Sequence, residues 1–186
     1  FKPDKSIVER AGLKPGERFF VLRFVAWQAN HDVNQFGFDF SQKEQLIKIL
    51  EPHGRVLISS ELPLEKSYEK FRIRIKPSEI HQILFFAHMY IGDSQSMATE
   101  SALLGTPSFR YNSFVGQNDM SNFHLLQDEY GLLSNYNTIE SLLSDVQKYA
   151  QEKEMKEEWQ KKREMYFDKK KDLNIETIKI IESFFQ

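Results

Sequence analysis

Apolar positions in this chain fall into short unbroken runs, separated by stretches in which they recur at helical spacing. Arg18 to Val25 (RFFVLRFV) is apolar apart from its two arginines, as suits a strand buried on both faces of a parallel sheet. A long polar and aromatic loop, Ala26 to Phe40, follows it. Ser41 with Glu44 three residues on predicts a capped helix through Leu46, Ile47, Ile49 and Leu50 that stops near Pro52-His53-Gly54. Arg55 to Ser60 reads as the second strand and Arg72 to Ile75 as a short third. Pro77 opens a helix reaching about His88, with Ile80, Ile83, Leu84 and Ala87 on one face. Further strands are expected at Met89–Gly92, 107–111 and 131–133, with helices over 94–104 and 122–129 between them. Strands alternating with helices imply right-handed crossovers and a doubly wound parallel α/β sheet.

From Thr138 the pattern is purely helical. Ile139, Leu142, Leu143 and Val146 mark one amphipathic helix, Lys153 to Asp172 is charge-dense, and Ile175 to Phe185 forms a last apolar helix. The charge run mixes acids and bases evenly, which describes a solvated helix face rather than a nucleic-acid contact. The expected division is a Rossmann-like domain over 1–150 and a helical extension over 151–186, with Trp159, Tyr166, Phe184 and Phe185 as its exposed aromatics.

With 186 residues, 40% hydrophobic and 28% charged, the chain has enough apolar material for one packed core. A net charge of −2 provides no bulk attraction for nucleic acid or acidic membrane. The absence of Cys removes disulfides, thiolate nucleophiles and Cys-ligated metals, and no apolar run is long enough to span a bilayer. These features describe a soluble, cytoplasmic protein. The chain opens Phe1-Lys2-Pro3-Asp4 without an initiator Met and reads as a piece of a longer one.

The candidate chemistry lies in Tyr90 to Pro107 (YIGDSQSMATESALLGTP): a buried strand, a polar turn, a small-residue helix and a Gly-Thr-Pro exit. In an open α/β sheet, anions bind where such a turn meets its helix. Counting from Asp93 at the cap, Asp93, Ser96 and Glu100 share about one helical stripe. The helix is otherwise small and apolar, so a carboxylate there calls for hydrogen-bond donors, such as vicinal ribose hydroxyls. The amides of Ser94, Gln95 and Ser96, with the positive end of the helix dipole, suit a diphosphate. A plain N-cap at Asp93 or Ser94 and a solvated Glu100 is the alternative. His31 and Asp32 leave the first strand at its carboxyl end, where a His serves as acid or base, or merely packs on Trp27. His81 and His88, among apolar residues of one helix, read as structural. No His/Asp/Glu spacing resembles a metal site.

GDSQSMATESALLGTP followed by SFRYNSFVG resembles the carboxy-terminal domain of GT-B glycosyltransferases and of the non-hydrolysing UDP-N-acetylglucosamine 2-epimerases. The epimerases' Asp-Ser turn, helix Glu, Leu-Gly-x-Pro exit and strand-end Arg correspond to Asp93-Ser94, Glu100, Leu104-Gly105-Thr106-Pro107 and Arg110. One branch of that superfamily also shares an Arg-Phe strand (Arg23-Phe24), a Trp (Trp27) and a His-Asp loop (His31-Asp32). The likeness covers roughly residues 18–134. It implies that Glu100 holds the ribose and Ser94 to Ser96 the diphosphate. It also implies that Ile75 to Ser78 lie along the base, and that Arg110 and Asn112 flank the sugar or phosphates. Gln95-Ser96 replaces the epimerases' Gly-Gly, and Ala29-Asn30-His31-Asp32 replaces their His-Arg-Arg-Glu run, which argues against epimerisation.

The resulting expectation is the donor half of a GT-B-type glycosyltransferase of surface polysaccharide synthesis. Its partners would be a nucleoside diphosphate sugar, a UDP-sugar first among them, and an amino-terminal domain outside this chain. No metal or cofactor is implied. An epimerase-like isomerase and a non-enzymatic α/β interaction module are the alternatives.

Overall fold

A computed structural model describes residues 1–27, 35–168 and 170–185. Five parallel strands form one sheet: β1 (Phe19–Phe24), β2 (Arg55–Ser60), β3 (Met89–Gly92), β4 (Ser108–Tyr111) and β5 (Leu133–Tyr136), in the order β2-β1-β3-β4-β5. Phe20 pairs with Val56 on one side and Met89 on the other, so β1 is central, and the burial of Phe19 to Leu22 on both faces follows from that position. The expected doubly wound Rossmann-like α/β fold is the observed one.

The helices divide between the two faces. α1 (Lys5–Arg10) packs on α3 (Ile80–Phe86), which packs on α4 (Gln95–Leu103), while α2 (Phe40–Leu50) packs on α6 (Ile139–Tyr149). α5 (Ser121–His124) continues as a π turn over Leu125–Glu129 and leads into β5. Two helices close the chain, α7 (Met155–Asp168) and α8 (Leu173–Ser183).

Several local expectations are corrected. Arg72 to Ile75 is no strand. A 3₁₀ turn at Glu69–Phe71 delivers Arg72 to one isolated bridge with Ile58, and a second 3₁₀ turn at Pro77–Glu79 ends the extended stretch before a ladder forms. The cap of α2 is Asp39 with Gln42, not Ser41 with Glu44, because Asp39 has the extended backbone an N-cap needs and Ser41 lies inside the helix. The last strand starts at Leu133, after Gly131 makes its turn at φ +59°. Trp159, expected at the surface, is 4% exposed and donates its indole N–H to the Leu132 carbonyl at 3.0 Å.

α7 is fastened by side chains that satisfy backbone carbonyls of the sheet domain. Gln160 donates to the carbonyls of Leu104 and Gly105 at 3.0 and 3.1 Å, and Arg163 to that of Leu103 at 2.9 Å. Gly105 sits at φ +73°, and a Cβ there would come within 2.6 Å of the Gln160 amide nitrogen, so the exit of α4 requires glycine.

His88 packs edge-on against Phe20, with ring centroids 5.5 Å apart. Burial, reinforced by Arg18, pushes its pKa down to about 4. The unfolded chain takes up this proton near the ordinary pKa of 6.5 and the folded chain does not, so stability is full above pH 6.5 and falls as the pH approaches 4. Urea unfolding is expected to show a loss of roughly 2–3 kcal/mol between pH 7 and 4.5 that the His88→Gln variant lacks.

Candidate functional site

The strand order changes direction between β1 and β3, and at such a switch point the loops leaving the carboxyl ends part to form a crevice. Asp93, directly after β3, holds this point together. It is 2% exposed, and its carboxylate accepts from the amide of Val25 and the indole of Trp27, both at 2.9 Å, and from the amide of Phe38 at 3.4 Å. Burial pushes its pKa up, against the lowering effect of these donors. Asp93 therefore draws both flanks of the loop after β1 onto the end of β3. Gly37 is required beneath it, since a Cβ there would run into both the carboxylate and the indole.

A second loop is tied into the same knot. Asn112, fully buried, donates to the Asp93 carbonyl at 3.1 Å and accepts from the Phe114 amide at 3.1 Å. Ser113 accepts from the Phe36 amide at 2.9 Å, and the Phe114 ring stacks on Trp27 at a centroid distance of 6.1 Å. Trp27 sits at φ 50°, a left-handed conformation that costs a non-glycine residue about 1 kcal/mol or more and is held by these contacts.

The expected stripe of Asp93, Ser96 and Glu100 is divided. α4 begins at Gln95 with Ser94 as its N-cap, the Ser94 hydroxyl accepting from the Met97 amide at 3.4 Å. Asp93 thus belongs to the strand end and turns inward, toward donors supplied by the β1 loop. Ser96 and Glu100 are exposed and Gln95 is half-buried. The first two helical amides, those of Gln95 and Ser96, have no acceptor within the helix. Glu100 Oε2 meets His81 Nε2 of α3 at 3.1 Å, a pairing that sequence reasoning missed, having assigned His81 a structural part. No local signal would have found it, because the two residues stand on different helices.

Beside Met97 of α4 opens a groove of about 360 Å³, lined by Arg23, Ser59, Ser60, Arg72, Ile75 and Pro77 among others. Arg23 donates to the Ser59 hydroxyl at 2.9 Å and to Glu61 at 2.6 Å, and its buried Nε has no partner among the described residues. The Ile75–Ser78 segment expected along a base borders this groove. Its chemistry is mixed, with apolar walls suited to a flat ring and two guanidinium groups suited to an acceptor or an anion.

Arg110 is fully buried. Its guanidinium lies 3.4 Å over the Phe123 ring, pairs with the buried carboxylate of Asp119 and donates to Asn135 at 2.7 Å, leaving Nη1 without a partner among the described residues. Arg110 and Asn112 therefore engage this chain's own groups rather than the surface. His31 and Asp32 lie outside the described residues. Among the described residues, no cluster of three or more His, Asp or Glu could hold a metal ion, and no helix is long and apolar enough to cross a membrane.

No family model matches the chain, and no curated protein matches it. Solved structures share its fold. The wall teichoic acid polymerase TagF superposes with a TM-score of 0.57 at 17% identity, over 88% of this chain and 41% of its own. The H444N variant of TagF soaked with CDPG does so at 0.56 and 16%, over 88% and 40%. A glycosyltransferase of kitacinnamycin gives 0.51 at 10%, over 82% and 40%. The chain spans about two fifths of the length of these proteins. At these identities the likenesses show a shared α/β fold.

Removing one partner of the buried Arg110–Asp119 pair strands a charge, which typically costs about 3–5 kcal/mol. Asp119→Ala is expected to lower unfolding free energy by that order in denaturant titration, whereas Asp128→Ala, on the exposed face of the neighbouring turn, leaves it within about 0.5 kcal/mol.

Proposed function

We propose that this chain is the donor-binding domain of a GT-B-type glycosyltransferase, which transfers a sugar from a nucleoside diphosphate. The observation that carries this reading is the switch-point rim. There a helix N-terminus whose first two amides have no acceptor within the helix, an exposed glutamate one turn further on and a mixed groove beside Met97 share one helix. A nucleotide offers a group for each. The diphosphate would lie on the amides of Gln95 and Ser96, the ribose hydroxyls on Glu100, and the base in the groove beside Met97 and Ile75. The soaking of a structural neighbour with CDPG supports a nucleotide-linked donor.

In this reading, transfer is assisted by helix-end amides that stabilise negative charge on the departing nucleoside diphosphate. Asp93, Arg110 and Asn112 hold the loops around the ligand rather than touching it. His31 and Asp32 are proposed as the acid–base pair by their position in the sequence. An amino-terminal domain would complete the cleft and supply the acceptor site. α8 supports such a partner domain, because it buries none of its residues on this chain and leaves Ile175, Ile178, Ile181 and Phe184 exposed.

Calorimetric titration with UDP, CDP, GDP and dTDP is expected to show saturable binding of one diphosphate. Glu100→Ala should weaken it about tenfold or more by removing the acceptor of two hydroxyl hydrogen bonds. The melting temperature should not move, since Glu100 is half-exposed. Tight binding that survives Glu100→Ala would remove the proposed ribose contact, and silence from all four in the full-length protein would remove the reading itself.

A further inference from the structure

The opposite rim of the sheet, at the amino ends of the strands, carries a second cavity, of about 410 Å³. That volume is in the range of small-molecule sites. α1, the start of β1, the turn between α3 and β3 and the first turn of α7 surround it. Its apolar lining comes from Val8, Phe19 and Phe86. Its polar lining is biased in charge, with five Lys or Arg side chains against two carboxylates, Glu9 and Glu17. Among the described residues, none of those five forms an ion pair.

Lys156 is the central member of this set. Its Nζ donates to the Thr106 hydroxyl at 2.5 Å and the Ala87 carbonyl at 3.3 Å, and Thr106 in turn donates to the Leu84 carbonyl at 2.7 Å. Both hydrogen-bond acceptors of the amine are neutral oxygens, the Phe85 ring lies 5.3 Å from it, and one ammonium hydrogen is left over. Burial without a counter-charge pushes its pKa down to about 7, and Arg18 and Lys156 both press His88 toward its neutral form. A lining with this excess of cationic side chains, partly desolvated and beside Val8 and the Phe86 ring, is complementary to an anion with an apolar body.

We propose that this cavity binds a small organic anion, its charged head against Lys156, Arg18 and Lys153 and its apolar body on Val8 and Phe86. The site lies across the sheet from the nucleotide rim and does not depend on that reading. Carboxylate, sulfonate and phosphate heads share the chemistry, and the probes separate them.

Calorimetry on the purified chain with benzenesulfonate, phenylacetate and phenyl phosphate is expected to show one saturable site. Sulfate alone and benzyl alcohol alone, each carrying half of the recognition, should bind about tenfold more weakly or not at all. Lys156→Met should lower benzenesulfonate affinity about tenfold, with a melting temperature that holds or rises because a buried charge is gone. Lys153→Met, at an exposed position, should lower it by a smaller factor and serves as the readout if Lys156→Met does not fold. The proposal is overturned by three results: no saturable binding of any organic anion, affinity unchanged in the folded lysine variants, or displacement of benzenesulfonate by a nucleoside diphosphate.

Discussion

A single buried carboxylate sets the shape of the candidate rim. Asp93 accepts hydrogen bonds from Val25, Trp27 and Phe38, residues on both flanks of the loop that leaves β1, while its own carbonyl takes the side-chain amide of Asn112. Two loops, those leaving β1 and β4, are thus tied to the end of β3, where the sheet order reverses. An open α/β sheet separates these loops by construction. The crevice keeps a defined width only if something pulls them back together, and here a charge 2% exposed does so. Its three donors offset the desolvation of the carboxylate, and without them the group would be a large cost.

The same economy recurs one strand over. Arg110, at the end of β4, directs its charge into Asp119, Asn135 and the face of Phe123, fixing the segment between β4 and α5 from inside. Two charged residues that the sequence offers as ligand contacts, Asp93 and Arg110, make their hydrogen bonds within the chain, while Glu100 and His81 stand exposed. Division of labour of this kind suits a site that recognises an anion. Fixed amides at a helix end need no reorganisation when the ligand arrives, whereas long charged side chains lose rotamer entropy in closing on it.

Layered architecture was legible because it rests on local facts. Short, nearly continuous apolar runs such as RFFVLRF suit strands buried on both faces, and helical spacing between them implies parallel crossovers. The position of the candidate turn followed for the same reason, since GDSQS comes directly after such a run. What failed was information carried by partners distant in sequence. Arg72 to Ile75 has strand-forming residues, yet only Arg72 reaches a neighbour before Pro77 begins a new turn. Asp93 resembles a cap, and its donors lie 55 to 68 residues away. The His81–Glu100 contact joins two helices whose relative rotation no single-helix pattern encodes.

The two closing helices show how anchoring differs from amphipathicity. α7 is the more charged of the pair, yet it is the one that is fixed, because Lys156, Trp159, Gln160 and Arg163 each donate to backbone or hydroxyl oxygens of the sheet domain. α8 is apolar around most of its circumference and buries nothing. An eleven-residue helix is marginal alone in water, and among the described residues none of α8 is buried. Hydrogen bonds to oxygens of the sheet domain, rather than an apolar stripe, therefore decide which of the two helices joins the sheet: α7 has them, and α8 keeps Ile175, Ile178 and Ile181 exposed.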